Sequence, residues 1–188
     1  MFKNMERDKA LNLLKENLFN KNLIKHCLAV EAIMRGLAQK FGEDSEQWEL
    51  AGLLHDIDYE KTKDVPEKHS LIGAEMLKEI GLGEEICEAV KTHNEMHGIA
   101  PQSLMAKALF VCDPISGLIV ASTLVLPTKK IHNLTVENIL NRFKEKSFAR
   151  GANREIIGKC EELLDLSLQE FVSIALEAMK GISNDLEL

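Results

Sequence analysis

Residues 48–58 read WELAGLLHDID, an apolar segment that runs without a turn signal into two adjacent metal-binding side chains. Trp48, Leu50, Leu53 and Leu54 recur at helical spacing. Asp44 or Ser45 supplies a capping side chain just before them. The spacing predicts a helix that ends close to Asp56, where a polar loop begins. Neighbouring helix residues point about 100° apart, but at a helix end the chain can turn both His55 and Asp56 toward one ion. An imidazole and a carboxylate together suit Mn, Fe, Co, Ni or Zn. A His-Asp pair alone has little weight, so the rest of the chain must supply its partners.

The flanking segments share the helical period. Leu11, Leu14 and Leu18 mark a first helix, and Leu23, Val30, Ile33, Met34 and Leu37 a second that ends near Gly42. After the His-Asp pair, IDYEKTKDVPEKHS reads as a loop. A fourth helix is expected from Pro66 or Glu67 to Ile80, stopped by Gly81 and Gly83. A fifth carries Ile86, Ala89 and Val90 up to His93, and a sixth spans Ser103 to Cys112. Asp113-Pro114 then opens an apolar helix, with proline at its first position. Thr135 caps a helix through Ile139, Leu140 and Phe143, and the tail from Asn153 to about Met179 holds one or two more. With 4 prolines and 1 tyrosine in 188 residues, the composition argues against a turn-rich β protein. The expected fold is all-α: one domain over residues 1–188, a compact helical bundle with a motif-bearing core at about 20–125 and a helical extension at about 126–188.

Five of the 6 histidines lie in the first hundred residues. His26 sits on the helix before the His-Asp pair, and Asp113 at a junction after it. His26, His55, Asp56 and Asp113 would give one ion two imidazoles and two carboxylates, with positions left for water. His69 and His93 lie on the two helices between, and with Asp56 bridging they could hold a second ion. His97 and His132 read as ordinary surface or satisfied histidines. His97 falls four residues after His93, but the glutamate between them is not placed as in the zincin helix.

The order His26, His55-Asp56, His69, His93, Asp113 resembles the HD superfamily of metal-dependent phosphohydrolases. HSLIGAE (69–75) resembles the family's His-x-x-x-Gly-Ala element, VKTHNE (90–95) its Ile-x-x-His-His-Glu element, and DPISGL (113–118) its closing aspartate segment. The likeness covers roughly residues 20–125. Two positions depart from it: Asp58 stands where the family often has glycine, and Asn94 replaces the second histidine of a His-His pair. No Gly-Tyr-Pro signature of the cyclic-dinucleotide subclass is present. The resemblance implies one or two divalent ions (Mn, Fe, Co, Ni, Zn or Mg) and in-line attack of a metal-bound water on phosphorus. Asp56, Asp58, Lys61 and Glu95 are the expected catalytic and supporting groups. Lys129, Lys130, Arg150 and Arg154 are the expected clamp on a phosphorylated substrate, or else a solvated face. A diiron oxygenase and a non-catalytic metal- or nucleotide-binding module are the alternatives.

The net charge of -7 argues against general nucleic-acid binding, and it would repel a phosphate unless local cations or a metal reverse the field. The expected partner is therefore a small phosphorylated molecule. The charged start MFKNMERDKALNLLKENL has no signal-peptide core, and the longest apolar run, Ile115 to Leu126, suits a buried helix rather than a membrane span. Cys27, Cys87, Cys112 and Cys160 are scattered, without a CxxC pair. They read as reduced thiols, with Cys27 and Cys112 turned to the core, and a cytoplasmic location is expected. Oligomeric state is left open.

Overall fold

The computed structural model describes residues 5–188, which form helices and turns with no strand among them. The first helix, α1 (Arg7–Asn17), leads into α2 (Lys21–Phe41), which Asn20 caps by accepting from the Asn22 N–H. α2 stops at Gly42, whose φ of 73° is the left-handed conformation that glycine adopts without penalty. Asp44 caps α3 (Ser45–Leu54), accepting from the N–H groups of Glu46 and Gln47. α2 and α3 approach closely at Gly52, where a Cβ would lie 2.8 Å from the Glu31 Cα. Arg7 secures α1 to the same place, donating twice to the buried Glu31 carboxylate at 2.6 and 2.9 Å.

The stretch after Asp56 is more ordered than its polarity suggests. A single-turn helix, α4 (Tyr59–Thr62), and a 3-10 turn at Pro66–Lys68 precede α5 (Leu71–Glu79). α5 therefore begins later than Pro66 or Glu67. Ser70 is the reason: its φ of 71° breaks any helix running in from the proline. α6 (Glu84–Thr92) packs on α5, with His93 at its C-terminal end.

The expected pair of helices meeting at Asp113-Pro114 is one helix, α7 (Leu104–Leu124), with Pro114 inside it. Proline lacks the N–H that would bond to the Phe110 carbonyl. Burial of 13 residues of α7 in the core outweighs that local loss. Joined in this way, α7 is long and apolar enough to cross a membrane by length and composition, which neither half is. Its partner here is protein, and 61% of its most apolar window is buried among the other helices.

α8 (Val136–Lys144) starts at a capping box between Thr135 and Asn138. The tail has four pieces rather than one or two: α9 (Arg154–Gly158), α10 (Cys160–Leu164), α11 (Leu168–Gly181) and α12 (Ser183–Leu186). Asp165, at φ 54°, ends α10, and a Ser167–Glu170 capping box restarts the chain as α11. α11 covers α2, α7 and α8, so the later third closes over the core that the first two-thirds build. Cys27, Cys112 and Cys160 are buried in that core.

Candidate metal centre

Five elements aim polar side chains at one point. His26 comes from the second turn of α2, and His55 and Asp56 from the end of α3. His69 comes from the turn before α5, His93 from the end of α6, and Asp113 from the middle of α7. Asp56 sits at the centre. Its Oδ1 is 3.2 Å from His69 Nε2, 3.5 Å from His93 Nε2 and 3.5 Å from His55 Nε2. Its Oδ2 faces His26 Nε2 at 3.7 Å. Asp113 Oδ1 lies 3.0 Å from His26 Nε2 and 4.0 Å from His55 Nε2.

Each imidazole is held from behind through Nδ1. His55 Nδ1 donates to the Gly52 carbonyl at 2.8 Å, and His93 Nδ1 to the Val90 carbonyl at 2.7 Å. His69 Nδ1 donates to Asp58 Oδ1 at 2.9 Å. His26 Nδ1 meets Ser116 Oγ at 3.0 Å, and Ser116 in turn donates to the Asp113 carbonyl. All four rings therefore present Nε2 inward, the arrangement by which outer partners fix the tautomer of a ligand histidine.

The donors divide into two overlapping groups, His26 with His55 and Asp56, and Asp56 with His69 and His93, each within 4.8 Å. The Nε2 atoms of His26 and His55 are 3.1 Å apart, and those of His69 and His93 are 3.2 Å apart. Two nitrogens each about 2.0–2.1 Å from one ion, at right to tetrahedral angles, stand roughly 2.9–3.4 Å apart. The residues present thus fit a divalent ion in each group. Asp56 is shared, and Asp113 is the further oxygen for the first.

Electrostatics follow the same division. Burial drives the His55 imidazole down to about 4, a fall that the Asp56 carboxylate only partly offsets. For His69 burial acts the same way, but the Asp56 and Asp58 carboxylates outweigh it and raise the ring to about 10. Burial works against the charge on Asp56 and Asp113 as well, yet the surrounding imidazoles hold both below the usual carboxylate range. The pocket keeps two carboxylates ionised and imidazoles around them, which is the donor chemistry a cation needs.

The other expected site residues are placed differently from one another. Asp58 is fully buried and reaches no open space. It accepts from His69 Nδ1 and from the N–H groups of Ser70 and Gly73, so it positions His69 rather than touching a substrate. Gly73 must be small, since a Cβ there would lie 3.2 Å from the Asp58 carboxyl carbon. Lys61 does not reach the centre. It is exposed, and its Nζ contacts Met76 Sδ at 3.4 Å. Glu95 stands on the rim of the central cavity and accepts twice from Asn153 Nδ2. Asn94 lies outside both donor groups: its Nδ2 donates to the Pro66 and His69 carbonyls, and its Oδ1 caps the 3-10 turn Glu95–His97.

The expected four-residue basic clamp does not assemble. Lys129 and Lys130 are exposed on the turn after α7 and line no part of the central cavity. Arg154 spends its guanidinium on the carbonyls of Arg142, Phe148, Ala149 and Ala152, so it ties the chain around α9. Arg150 and Arg154 both line an open groove that shares Glu95, Gly151, Ala152 and Asn153 with the central cavity, Arg154 with its guanidinium already committed to those carbonyls. Three residues not singled out from sequence also matter. Ser116 orients His26, Asn153 holds Glu95, and Lys146 stands with Arg150 on the groove. His97, read as an ordinary histidine, supports the site by donating to the His69 carbonyl at 2.6 Å.

A family model described as HD domain matches residues 23–118, the span that carries all six inward-facing donors. Among curated proteins, a Ribonuclease Y of Lawsonia intracellularis is 31% identical over 141 residues, covering 73% of this chain and 27% of the relative. A Ribonuclease Y of Alkaliphilus metalliredigens is 33% identical over 177 residues, covering 90% and 36%. An uncharacterized protein of Methanocaldococcus jannaschii is 38% identical over 94 residues, covering 47% and 54%. The chain thus spans about a quarter to about a half of the length of these relatives.

Proposed function

Because the chain belongs to the HD domain family, we propose that it is a metal-dependent phosphohydrolase acting on a phosphate ester or anhydride of a nucleotide or related small molecule. The observation that carries this reading is the convergence of four Nε2 atoms on Asp56, with Asp113 beside them, at the floor of an open cavity of about 250 Å³. His26, His55, Asp56 and Asp113 would hold one ion, and Asp56, His69 and His93 a second. Bound there, divalent ions supply a Lewis acid for a phosphoryl oxygen and a water that ionises near neutral pH. The chain does the rest. Asp58, Ser116 and the Gly52 and Val90 carbonyls hold the four imidazoles from behind, with Nε2 aimed inward. Arg150 and Lys146 offer positive charge at the cavity's edge in an otherwise acidic molecule. The cavity is open, so substrate and water can enter, as a catalytic site requires and a closed structural site does not.

The names of the 31–33% identical relatives favour a second substrate, an RNA phosphodiester, and do not fit well with the expectation of no general nucleic-acid binding. One panel separates the two. Phosphate release from nucleotides and simple phosphate esters is measured with Mn, Co, Ni, Mg or Zn added, beside cleavage of a short oligoribonucleotide, with Asp56→Ala as control. Metal-dependent release lost in Asp56→Ala supports the small-molecule reading. Cleavage confined to the oligoribonucleotide replaces it with the RNA reading. No turnover of either kind leaves the binding-module alternative, and oxygen-dependent turnover with iron the oxygenase one.

A further inference from the structure

The central cavity, about 250 Å³, is smaller than the roughly 300–1,000 Å³ usual for ligand sites. A substrate of ordinary ligand size therefore extends beyond it. The space continues past His26 and Gly117, which line both it and a second hollow of about 460 Å³. This second hollow has a different character. On α7, Asp113, Gly117, Val120, Ala121 and Leu124 recur at the i, i+4, i+7, i+8, i+11 spacing of one helix face. That stripe leads from a donor of the metal centre to an apolar wall. Leu186 and Leu188 form the opposite wall. A Lys25–Glu187 ion pair at 2.7 Å stands on the rim. Gly117 has nothing within 4 Å of where a Cβ would be, so the passage beside it is open. Leu124 is 49% exposed although it belongs to a helix with 13 residues buried in the core.

We infer that the hollow beside His26 receives the organic part of the substrate, a compact apolar ring borne next to the phosphate held at the metal centre. The substrate is then a phosphate ester of an alcohol that bears an apolar ring, rather than inorganic pyrophosphate or a small alkyl phosphate. Continuity carries this assignment: the central cavity has apolar lining of its own in Phe110, Pro114 and Ile156, and the larger apolar surface within a few bonds of a phosphate at Asp56 and Asp113 is the adjoining Gly117–Leu124 face. The groove on the other side, by Arg150 and Lys146, is polar and suits a charged extension instead.

The inference rests on the phosphohydrolase reading, and binding of non-hydrolysable probes tests the two separately. Methylphosphonate and benzylphosphonate are titrated calorimetrically into the Mn(II)-loaded full chain. The wild type is expected to bind benzylphosphonate at least about tenfold more tightly, the gain from burying one ring. Ala121→Trp, which fills the hollow, is expected to remove that preference and leave methylphosphonate affinity unchanged. Leu124→Asp, at a half-exposed position that does not endanger folding, is expected to reduce the preference below about threefold. Equal affinity in the wild type, or a preference that survives both variants, overturns the inference while leaving the phosphate site intact. Failure of both phosphonates to bind overturns the phosphohydrolase reading, and the inference with it.

Discussion

Asp58 touches nothing in the cavity, yet it settles how His69 meets Asp56. One of its oxygens takes the His69 Nδ1 proton, and the other takes two backbone N–H groups, one from Ser70 at its positive φ. Asp58→Asn keeps the shape but offers only one acceptor. Metal affinity at the Asp56–His69–His93 group is expected to fall about 10–100-fold, with about 1–3 kcal/mol lost in stability from the unsatisfied donors. Competition with a fluorescent chelator and a denaturant melt read the two effects separately, and unchanged metal affinity would give Asp58 a purely structural role. The two arginines separate in the same way. Arg154 binds four carbonyls and is expected to cost about 1–3 kcal/mol on truncation to alanine, without raising the Michaelis constant of an anionic substrate. Arg150→Ala is expected to do the reverse, and steady-state kinetics beside thermal melts distinguish them. The donors were legible in sequence mainly through their order, His26, His55-Asp56, His69, His93, Asp113, which resembles the HD superfamily, since a His-Asp pair alone has little weight. Ser116 was invisible because its role is fixed by a contact with His26 across 90 residues. The arginines were misread as a set because proximity in sequence says nothing of which carbonyls a guanidinium will meet.

Helix packing sets the distances at the centre, and Gly52 is the tightest point. A Cβ there would approach Val30 and Glu31 backbone atoms at 2.8–2.9 Å, and backbone cannot give way as a flexible side chain can. The same residue's carbonyl holds His55. Gly52→Ala is expected to push α3 off α2, at a cost of about 1–3 kcal/mol, and to separate His55 from His26. A urea titration checks the first. Loss of metal at the His26–His55–Asp56 group, by elemental analysis, checks the second. A stable variant with full metal content would mean that the helices adjust without moving the rings. Most elements were legible because capping residues and apolar period agreed: Asp44 for α3, Gly42 for the end of α2, Thr135 for α8. α7 was not, since Asp113-Pro114 carries the local signal of a helix start, and only burial along its whole length keeps it one helix. The start of α5 failed for the opposite reason. The Pro66 signal produced one 3-10 turn, and Asp58 and the Lys91 carbonyl then hold Ser70 in a conformation no propensity anticipates.

At the scale of the molecule, the centre is a junction. Among the described residues, α2, α3, α6, α7 and the turn before α5 bring their metal-binding side chains together there. Without an ion, inward-facing carboxylates and imidazoles balance one another with the help of the proton that the raised His69 retains. An ion that displaces that proton joins the end of α3, the turn before α5 and the end of α6, and one in the His26 group joins α2, α3 and α7; the unfolded chain has no such sites, so binding energy becomes folding stability. Free metal at a hundred times its dissociation constant adds about 2.7 kcal/mol, which for a chain of this size is roughly 5–11 °C in Tm. Wild-type protein stripped with chelator is therefore expected to melt that much lower than protein reloaded with Mn(II) or Zn(II). In Asp113→Ala the reloading shift is expected to shrink, because one group loses an oxygen. In His26→Ala combined with His93→Ala, where both groups lose a nitrogen, it is expected to vanish. A full shift in the double variant would place the stabilising ion elsewhere in the molecule, and would remove the six converging donors as the basis for its chemistry.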